Sequence, residues 1–270
     1  MADGQTPRPR PKQTAATDRR NPCLSGVDSL LNLLTAAVAP PQRLGVAYSG
    51  GADSTALLHA LVERLPGRID AIHVHHGLQA AADGFVLHCQ QQCALFKVPL
   101  EVVYVQAHAA PGESPEEAAR KARYAALAAA AERLGVQHIV LAQHADDQVE
   151  TLLLAMTRGA GLPGLAAMPE QFVRMGVTFH RPLLAVHALA IRTWLRDANI
   201  PYIEDPSNSD ESLTRNRIRR QLLTVLDENF PGFRAQFARS ARHAAQGKRL
   251  LTSLAELDLA QTGSPPAIAE

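Results

Sequence analysis

Four short, mainly apolar runs constrain the fold of this chain more than any other feature: Leu44–Tyr48, Ile69–His75, Leu100–Val105 and Val136–Ala142. Each is followed by a stretch of helical character, at Asp53–Leu65, Ala82–Phe96, Ser114–Leu134 and Ala145–Thr157. A strand with one wet face alternates apolar and polar residues, whereas runs without that alternation belong to strands covered on both sides. The repetition predicts an α/β fold, a parallel twisted sheet with helices on both faces. The helix at Ser114 carries its own punctuation: an N-cap serine, Pro115 at the first helical position, Glu117 at the capping-box position and Gly135 as C-cap. A short apolar helix, Val27–Val38, is expected before the first strand. Beyond the repeat come a Gly-rich loop at Arg158–Pro169, a strand through Phe172–Phe179 and a helix at His187–Asn199. A polar loop, Pro201–Leu213, then leads to two basic-to-amphipathic helices, Thr214–Asn229 and Gly232–Leu259.

Charge is unevenly spread. The net charge of +1 hides +3 over residues 1–20, −6 over 21–213, +7 over 214–250 and −3 over 251–270. A weakly acidic body followed by a basic segment points to a polyanionic partner at one end, or to a solvated helix face. Residues 1–25 read as a disordered basic tail, with prolines at 7, 9, 11 and 22. The chain has no run of 18 uninterrupted apolar residues and no apolar N-terminal core, so neither a membrane span nor a signal peptide is expected. Three cysteines, Cys23, Cys89 and Cys93, fit reduced structural thiols in a cytoplasm.

The sharpest chemical signal is Tyr48-Ser49-Gly50-Gly51-Ala52-Asp53-Ser54-Thr55, lying between the first strand and its helix. Glycines let a backbone approach an anion, and the N–H groups of a helix start cradle phosphate. The lysine of an ordinary nucleoside-triphosphatase loop is missing. Asp53 would repel phosphates unless Mg²⁺ bridges the two; its plainer role is to cap the helix. A second cluster, Ala142-Gln143-His144-Ala145-Asp146-Asp147-Gln148-Val149-Glu150-Thr151, opens another helix after another strand. Asp147 and Glu150 share a helix face there, although acidic residues also simply suit a helix start. Arg120 and Arg123, one turn apart, could reach a phosphate together, although such a pair taken alone is more often a solvated helix face. His73 and His75 share a strand face and lead into His76, a loop suited to lining a pocket rather than to zinc. Arg215, Arg217, Arg219 and Arg220 make a phosphate-contacting helix start.

Taken together, SGGADS at 49–54, HVHHGL at 73–78, ARKARY at 119–124, HADDQVET at 144–151, RPLL at 181–184 and IEDPSN…TRNRIRR at 203–220 resemble the tRNA(Ile)-lysidine synthetases of the PP-loop ATP pyrophosphatase superfamily. The likeness covers roughly residues 44–226, and six motifs in the family's order are far more specific than SGGxDS alone. It implies an adenine nucleotide alpha hydrolase-like fold with a PP-loop catalytic domain over 26–213. A helical tRNA-contacting segment over 214–262 and a flexible tail over 263–270 follow. It implies ATP and Mg²⁺, L-lysine, and the isoleucine tRNA with a CAU anticodon. ATP would adenylate the wobble cytidine at C2, releasing pyrophosphate, and lysine would then displace AMP. Ser49, Gly50, Gly51, Ala52, Asp53 and Ser54 would bind ATP. Asp53, Asp146 and Asp147 are the metal candidates, and Asp53, Asp147, Arg120 and Arg123 the catalytic ones. His75, His76, His144 and Glu150 would line the lysine or cytidine pocket, and Arg215, Arg217, Arg219 and Arg220 would hold tRNA.

Family members are often dimeric, so a homodimer stands among the expected states, without membrane association and in the cytoplasm. Many members extend further, with C-terminal domains that help to hold tRNA. This chain, ending in GSPPAIAE, reads as a minimal or a truncated form. Two rival readings differ in the features they need. A PP-loop thiolase would want a CxxC pair or a reactive cysteine, where Cys89 and Cys93 are spaced CxxxC. A non-catalytic nucleotide sensor would need no acidic cluster.

Overall fold

The computed structural model describes residues 20–36, 42–75, 82–106, 114–206, 210 and 213–262; the expected tails before residue 20 and over 263–270 lie outside these, as does His76. The tail expected up to residue 25 gives way earlier. Asn21 and Cys23 are buried, and Asn21 donates to the Ala56 carbonyl at 2.8 Å. Helix α1 (Leu24–Thr35) then sinks Leu24, Val27, Leu30 and Leu34 into the core, the 3–4 spacing of one helix face.

The repeat follows as β1 (Leu44–Ala47), α2 (Ala52–Arg64), β2 (Ile69–His75), α3 (Ala82–Phe96), β3 (Leu100–Tyr104), α4 (Pro115–Leu134), β4 (His138–Val140) and α5 (Ala145–Thr157). A one-turn helix α6 (Leu162–Leu165) sits inside the Gly-rich loop, before β5 (Gln171–Arg174), β6 (Val177–His180) and α7 (Ala188–Asp197). At the C-terminal end α8 (Thr214–Arg217) runs through a π-helical turn (Ile218–Leu222) into α9 (Leu223–Asn229), and α10 (Phe233–Thr262) closes the described chain.

The six strands form one sheet in the order β3-β2-β1-β4-β6-β5, parallel except for β5. The single strand expected through Phe172–Phe179 is in fact the β5–β6 hairpin. Met175 and Gly176 both take positive φ, 50° and 76°, which reverses the chain in two residues; glycine makes half of that turn free of steric cost. The capping box expected at Ser114 does not form. The Ser114 side chain makes no cap bond, and the Glu117 carboxylate is held instead by the Arg120 guanidinium at 2.8 and 2.9 Å.

Alternate strand residues feed opposite faces. Leu44, Val46, Ile69 and Ala71 pack in a core with α1, α2, α3 and α7, while Ile72, Ile139, Val177 and Phe179 pack with Tyr124, Leu127, Ala130 and Ala131 of α4. A third, smaller core joins Val149 of α5 to Ile218, Leu223 and Phe233, so the C-terminal helices dock on the helix that carries the acidic cluster. Among the described residues no helix is long and apolar enough to cross a membrane.

One partly buried pair gives the fold a pH signature. The His138 Nδ1 and His180 Nε2 atoms lie 2.9 Å apart, sharing one proton, with the rings stacked. Burial first, and then the neighbouring His138, pulls the His180 pKa down to about 4; burial lowers His138 as well. Folded pKa values below the unfolded one near 6.5 mean that this stability is complete above that pH and lost as pH falls through about 4. For His180 the loss amounts to roughly 3 kcal/mol. We therefore expect the urea midpoint of the wild type to fall more steeply between pH 6.5 and 4 than that of His138→Gln/His180→Gln. Parallel slopes would contradict the pairing.

Candidate active site

The strand order reverses at β1: the chain moves from β1 outward to β2 and β3, then returns to place β4 on the other side of β1. Segments leaving neighbouring strands at such a reversal diverge and open a crevice at the carboxyl edge of the sheet. The two motif-bearing segments are the ones that leave β1 and β4.

After β1 the turn Tyr48–Gly51 leads into α2. Gly50 has φ +82°, and a Cβ there would also lie only 3.0 Å from the buried Cys89 Sγ, so both backbone angle and space require glycine. The turn is braced from within. Ser49 Oγ lies 3.0 Å from Ser54 Oγ, the Ser49 N–H donates to Ser54 Oγ at 3.2 Å, and the Gly51 N–H donates to Ser49 Oγ at 3.3 Å. From outside, the Ile203 N–H donates to the Gly50 carbonyl at 2.9 Å, strapping Ile203 onto the turn. Beneath it, His73 Nδ1 sits 2.9 Å from the Tyr48 carbonyl oxygen. Gly51 is the N-cap of α2 and no side chain caps that helix, so its first-turn N–H groups are presented to a ligand. Asp53 is therefore not a helix cap. Its Oδ2 faces His144 Nε2 at 3.5 Å, and its Oδ1 is buried without a hydrogen-bond partner.

After β4, His144 is the N-cap of α5. Its N–H donates to Asp147 Oδ2 at 3.0 Å and its Nδ1 faces the Asp147 N–H at 3.4 Å, a reciprocal capping box. Burial alone would push the His144 pKa down, but the carboxylates of Asp147, Asp53 and Asp146 outweigh it and raise it to about 9. A protonated ring has no lone pair for the Asp147 N–H, so the long 3.4 Å arm is the one surrendered. The loops of the crevice thus meet through an imidazolium among three carboxylates.

The remaining acids are held by arginines from the C-terminal helices. Glu150 is fully buried, and Arg219 of the π-helical turn donates from Nε to its Oε1 at 2.7 Å and from Nη2 to Asp147 Oδ1 at 3.3 Å. Arg215 Nη1 lies 3.8 Å from Glu150 Oε2, an oxygen without a hydrogen-bond partner. Burial, with some repulsion from Asp147, raises the Glu150 pKa against the pull of Arg219. Asp146 has both oxygens engaged: Oδ2 accepts from the Ala188 N–H at 2.9 Å and Oδ1 from Arg234 Nε at 2.6 Å. Burial would raise its pKa, but those two donors hold it below the usual carboxylate range.

These contacts revise the expected division of labour. Among the described residues no group of three His, Cys, Asp or Glu side chains is arranged to hold a metal. Of the three metal candidates, Asp146 and Asp147 already spend both oxygens on protein donors, while Asp53 keeps a buried oxygen free. That fits Mg²⁺, which takes one or two carboxylates and completes its shell with phosphates and water. The four arginines placed on a tRNA face divide. Arg217 and Arg220 are exposed, whereas Arg219 turns inward onto Glu150 and Arg215 pairs with Glu116 at 2.9 Å. The buried Glu150 requires counter-charge and draws Arg219 inward, whereas the Arg215–Glu116 pair lies at the surface. Arg120 is committed to Glu117, and the Arg123 guanidinium lies over the Tyr124 ring, 5.8 Å from its centroid. Among the described residues no hydrogen bond or ion pair joins either to Ser49–Ser54. His75, at the end of β2, contacts the Tyr104 ring on the side away from β4. The inward roles of Arg219 and Arg234 escaped sequence reasoning, since their partners lie 69 and 88 residues away and no local spacing marks them.

Residues 26–226 match the family model described as a PP-loop domain. A tRNA(Ile)-lysidine synthase of Polaromonas naphthalenivorans is 58% identical over 92% of this chain and 75% of its own length. The tRNA(Ile)-lysidine synthases of Pseudomonas fluorescens and Pseudomonas aeruginosa are each 45% identical, and the chain spans only 50% and 53% of their lengths. Among solved structures, the U34-tRNA thiolase NcsA from Methanococcus maripaludis with its [4Fe-4S] cluster superposes with a TM-score of 0.68 over 82% of this chain and 77% of its own. At 15% identity it shares the fold alone.

The Glu150–Arg219 pair gives a direct test of this geometry. Arg219→Gln strands a buried carboxylate and is expected to cost about 3 kcal/mol. In a urea-denaturation cycle with Glu150→Gln, the double variant should recover at least about 1 kcal/mol of that loss. Additive losses would show that the two side chains do not pair.

Proposed function

This chain belongs to the tRNA(Ile)-lysidine synthase family and carries its PP-loop domain, and from that premise we propose that it ligates L-lysine to the C2 position of the wobble cytidine of the CAU-anticodon isoleucine tRNA, at the expense of ATP. The observation that carries this reading is the 3.5 Å approach of Asp53, after the phosphate-type turn, to His144, at the start of the acidic helix. The parts needed for adenylation and for an incoming amine thereby share one crevice.

The Gly50–Ser54 turn and the first N–H groups of α2 receive the β and γ phosphates, which leave as pyrophosphate; their fixed dipoles stabilise the charge that builds there. Asp53 is the residue to hold Mg²⁺, which when bound neutralises phosphate charge. His144, protonated among carboxylates, adds a positive charge facing the same phosphates. The lysine ammonium is drawn to Asp147 and Glu150, and the amine must lose a proton before it attacks C2 and displaces AMP. Glu150, its pKa raised by burial, accepts that proton at Oε2, the oxygen that no hydrogen bond engages. Exposed Arg217 and Arg220 meet the tRNA backbone, and the enzyme acts as a cytoplasmic protein, with a homodimer as its expected state.

The sulfur-transfer reading is disfavoured by the thiols. Cys23, Cys89 and Cys93 are all buried, and burial pushes each up to about 12, far from the thiolate that such chemistry needs.

Incubation with labelled lysine and ATP, followed by mass spectrometry of the tRNA nucleosides, should show lysidine with isoleucine tRNA and none with elongator methionine tRNA. Equal labelling of both would overturn the reading. Asp53→Ala should abolish pyrophosphate release while leaving tRNA binding intact. Arg217→Ala/Arg220→Ala should weaken tRNA binding and flatten its log–log salt slope by about 1.5, two phosphate contacts being lost. An unchanged slope would remove these arginines from the interface.

A further inference from the structure

Arg234 is the least anticipated charge near the crevice. It stands in the first turn of α10, 88 residues from its partner Asp146, and its side chain is only 12% exposed against 7% for that of Asp146. Its Nε donates to Asp146 Oδ1 at 2.6 Å, and its two terminal nitrogens grip the Asp227 carboxylate of α9, Nη2 to Oδ2 at 2.8 Å. The Phe233 ring lies 4.5 Å below the guanidinium carbon. The far oxygen of Asp146 accepts the Ala188 N–H of α7 and lies 3.8 Å from His144 Nδ1. One guanidinium thus links α9, α10, the first turn of α5 and, through Asp146, the first turn of α7.

His144 has three carboxylates within reach: Asp53 at 3.5 Å, Asp147 at 3.5 Å and Asp146 at 3.8 Å. Only the contact to Asp53 ties the phosphate-type turn to the acidic helix; the one to Asp147 lies within the start of α5. Asp146 is the most buried of the three carboxylates, and a buried charge that loses its counter-ion takes the nearest one available. Without Arg234, that is the imidazole of His144.

We propose that Arg234 is a positioning residue for the reaction: by neutralising Asp146 it keeps His144 shared between Asp53 and Asp147, which makes the C-terminal helix α10 part of the catalytic centre and not only a handle for tRNA. The proposal rests on the reading of the crevice as the site of adenylation. Arg234 touches no reactant; it acts through Asp146 on the shape of the site.

The test compares Arg234→Gln, Arg234→Lys and Arg234→Gln/Asp146→Asn with the wild type, all in the full chain. With saturating ATP, lysine and isoleucine tRNA, Arg234→Gln should lower kcat for AMP release at least about tenfold, the scale of a misplaced catalytic group. Its KM for tRNA should stay within about twofold, because the lost interaction is not a tRNA contact. Arg234→Lys and the charge-neutral double variant should each recover most of kcat. In parallel, the imidazole ¹⁵N resonances of His144, read in the absence of ligands, should move in Arg234→Gln and return in the double variant. A residue that merely staples α10 would lower Tm and leave kcat and the His144 resonances where they are. Unchanged kcat, a loss confined to KM for tRNA, a double variant no better than Arg234→Gln, or unmoved His144 resonances would each overturn the proposal. A wild type that forms no lysidine would instead defeat the functional reading, and the resonances would then decide the positioning role alone.

Discussion

The structure depends on how it neutralises negative charge at the start of α5. Asp146, Asp147 and Glu150 sit within two turns of one helix and Asp53 approaches from another, with Asp146 and Glu150 buried. Buried carboxylates are tolerable only when paired, and here the partners come from far along the chain: Arg219 from the π-helical turn and Arg234 from α10. The C-terminal helices therefore do more than cover an apolar patch on α5. They supply the cations that let four acids occupy one crevice, and Val149, Ile218, Leu223 and Phe233 pack beneath them to hold those cations in place.

That crevice exists because of topology. With β4 hydrogen-bonded to β1 on the side opposite β2, the two motif-bearing segments leave adjacent strands at the same edge of the sheet. Strands covered on both faces fix the position of each loop to within the play of a packed core. The Gly50 turn has little freedom left: Cys89 lies under it, Ile203 straps it and Ser49 and Ser54 brace it. Rigidity at the Gly50 turn and compensated charge on the acidic side together give a crevice whose polar groups are fixed in place.

Much of this was legible in the chain itself. The apolar runs fixed the parallel sheet, and the turn after β1 and the helix start after β4 could be read from short motifs because phosphate cradles and helix caps are local devices. The hairpin of β5 and β6 was missed as one strand, although Gly176 in mid-run was the available signal. The arginines could not be told apart for a deeper reason. Arg215, Arg217, Arg219 and Arg220 look alike in sequence, and their phase on the helix separates them: Arg219 stands one turn after Arg215 on the face toward Glu150, while Arg217 and Arg220 are exposed. Arg234 carries no motif at all, since its role is set by a partner 88 residues away.

The central claim is that the crevice between β1 and β4 holds the triphosphate against the N-terminus of α2, opposite the start of α5. The most direct measurement is a ¹H–¹⁵N correlation spectrum titrated with a non-hydrolysable ATP analogue and Mg²⁺. The account predicts that the largest shifts fall on the backbone amides of Gly50, Gly51, Ala52, Asp53 and Ser54, with smaller ones at His144 and Asp147. Shifts concentrated on the β5–β6 hairpin or along α10, with those amides unmoved, would contradict it.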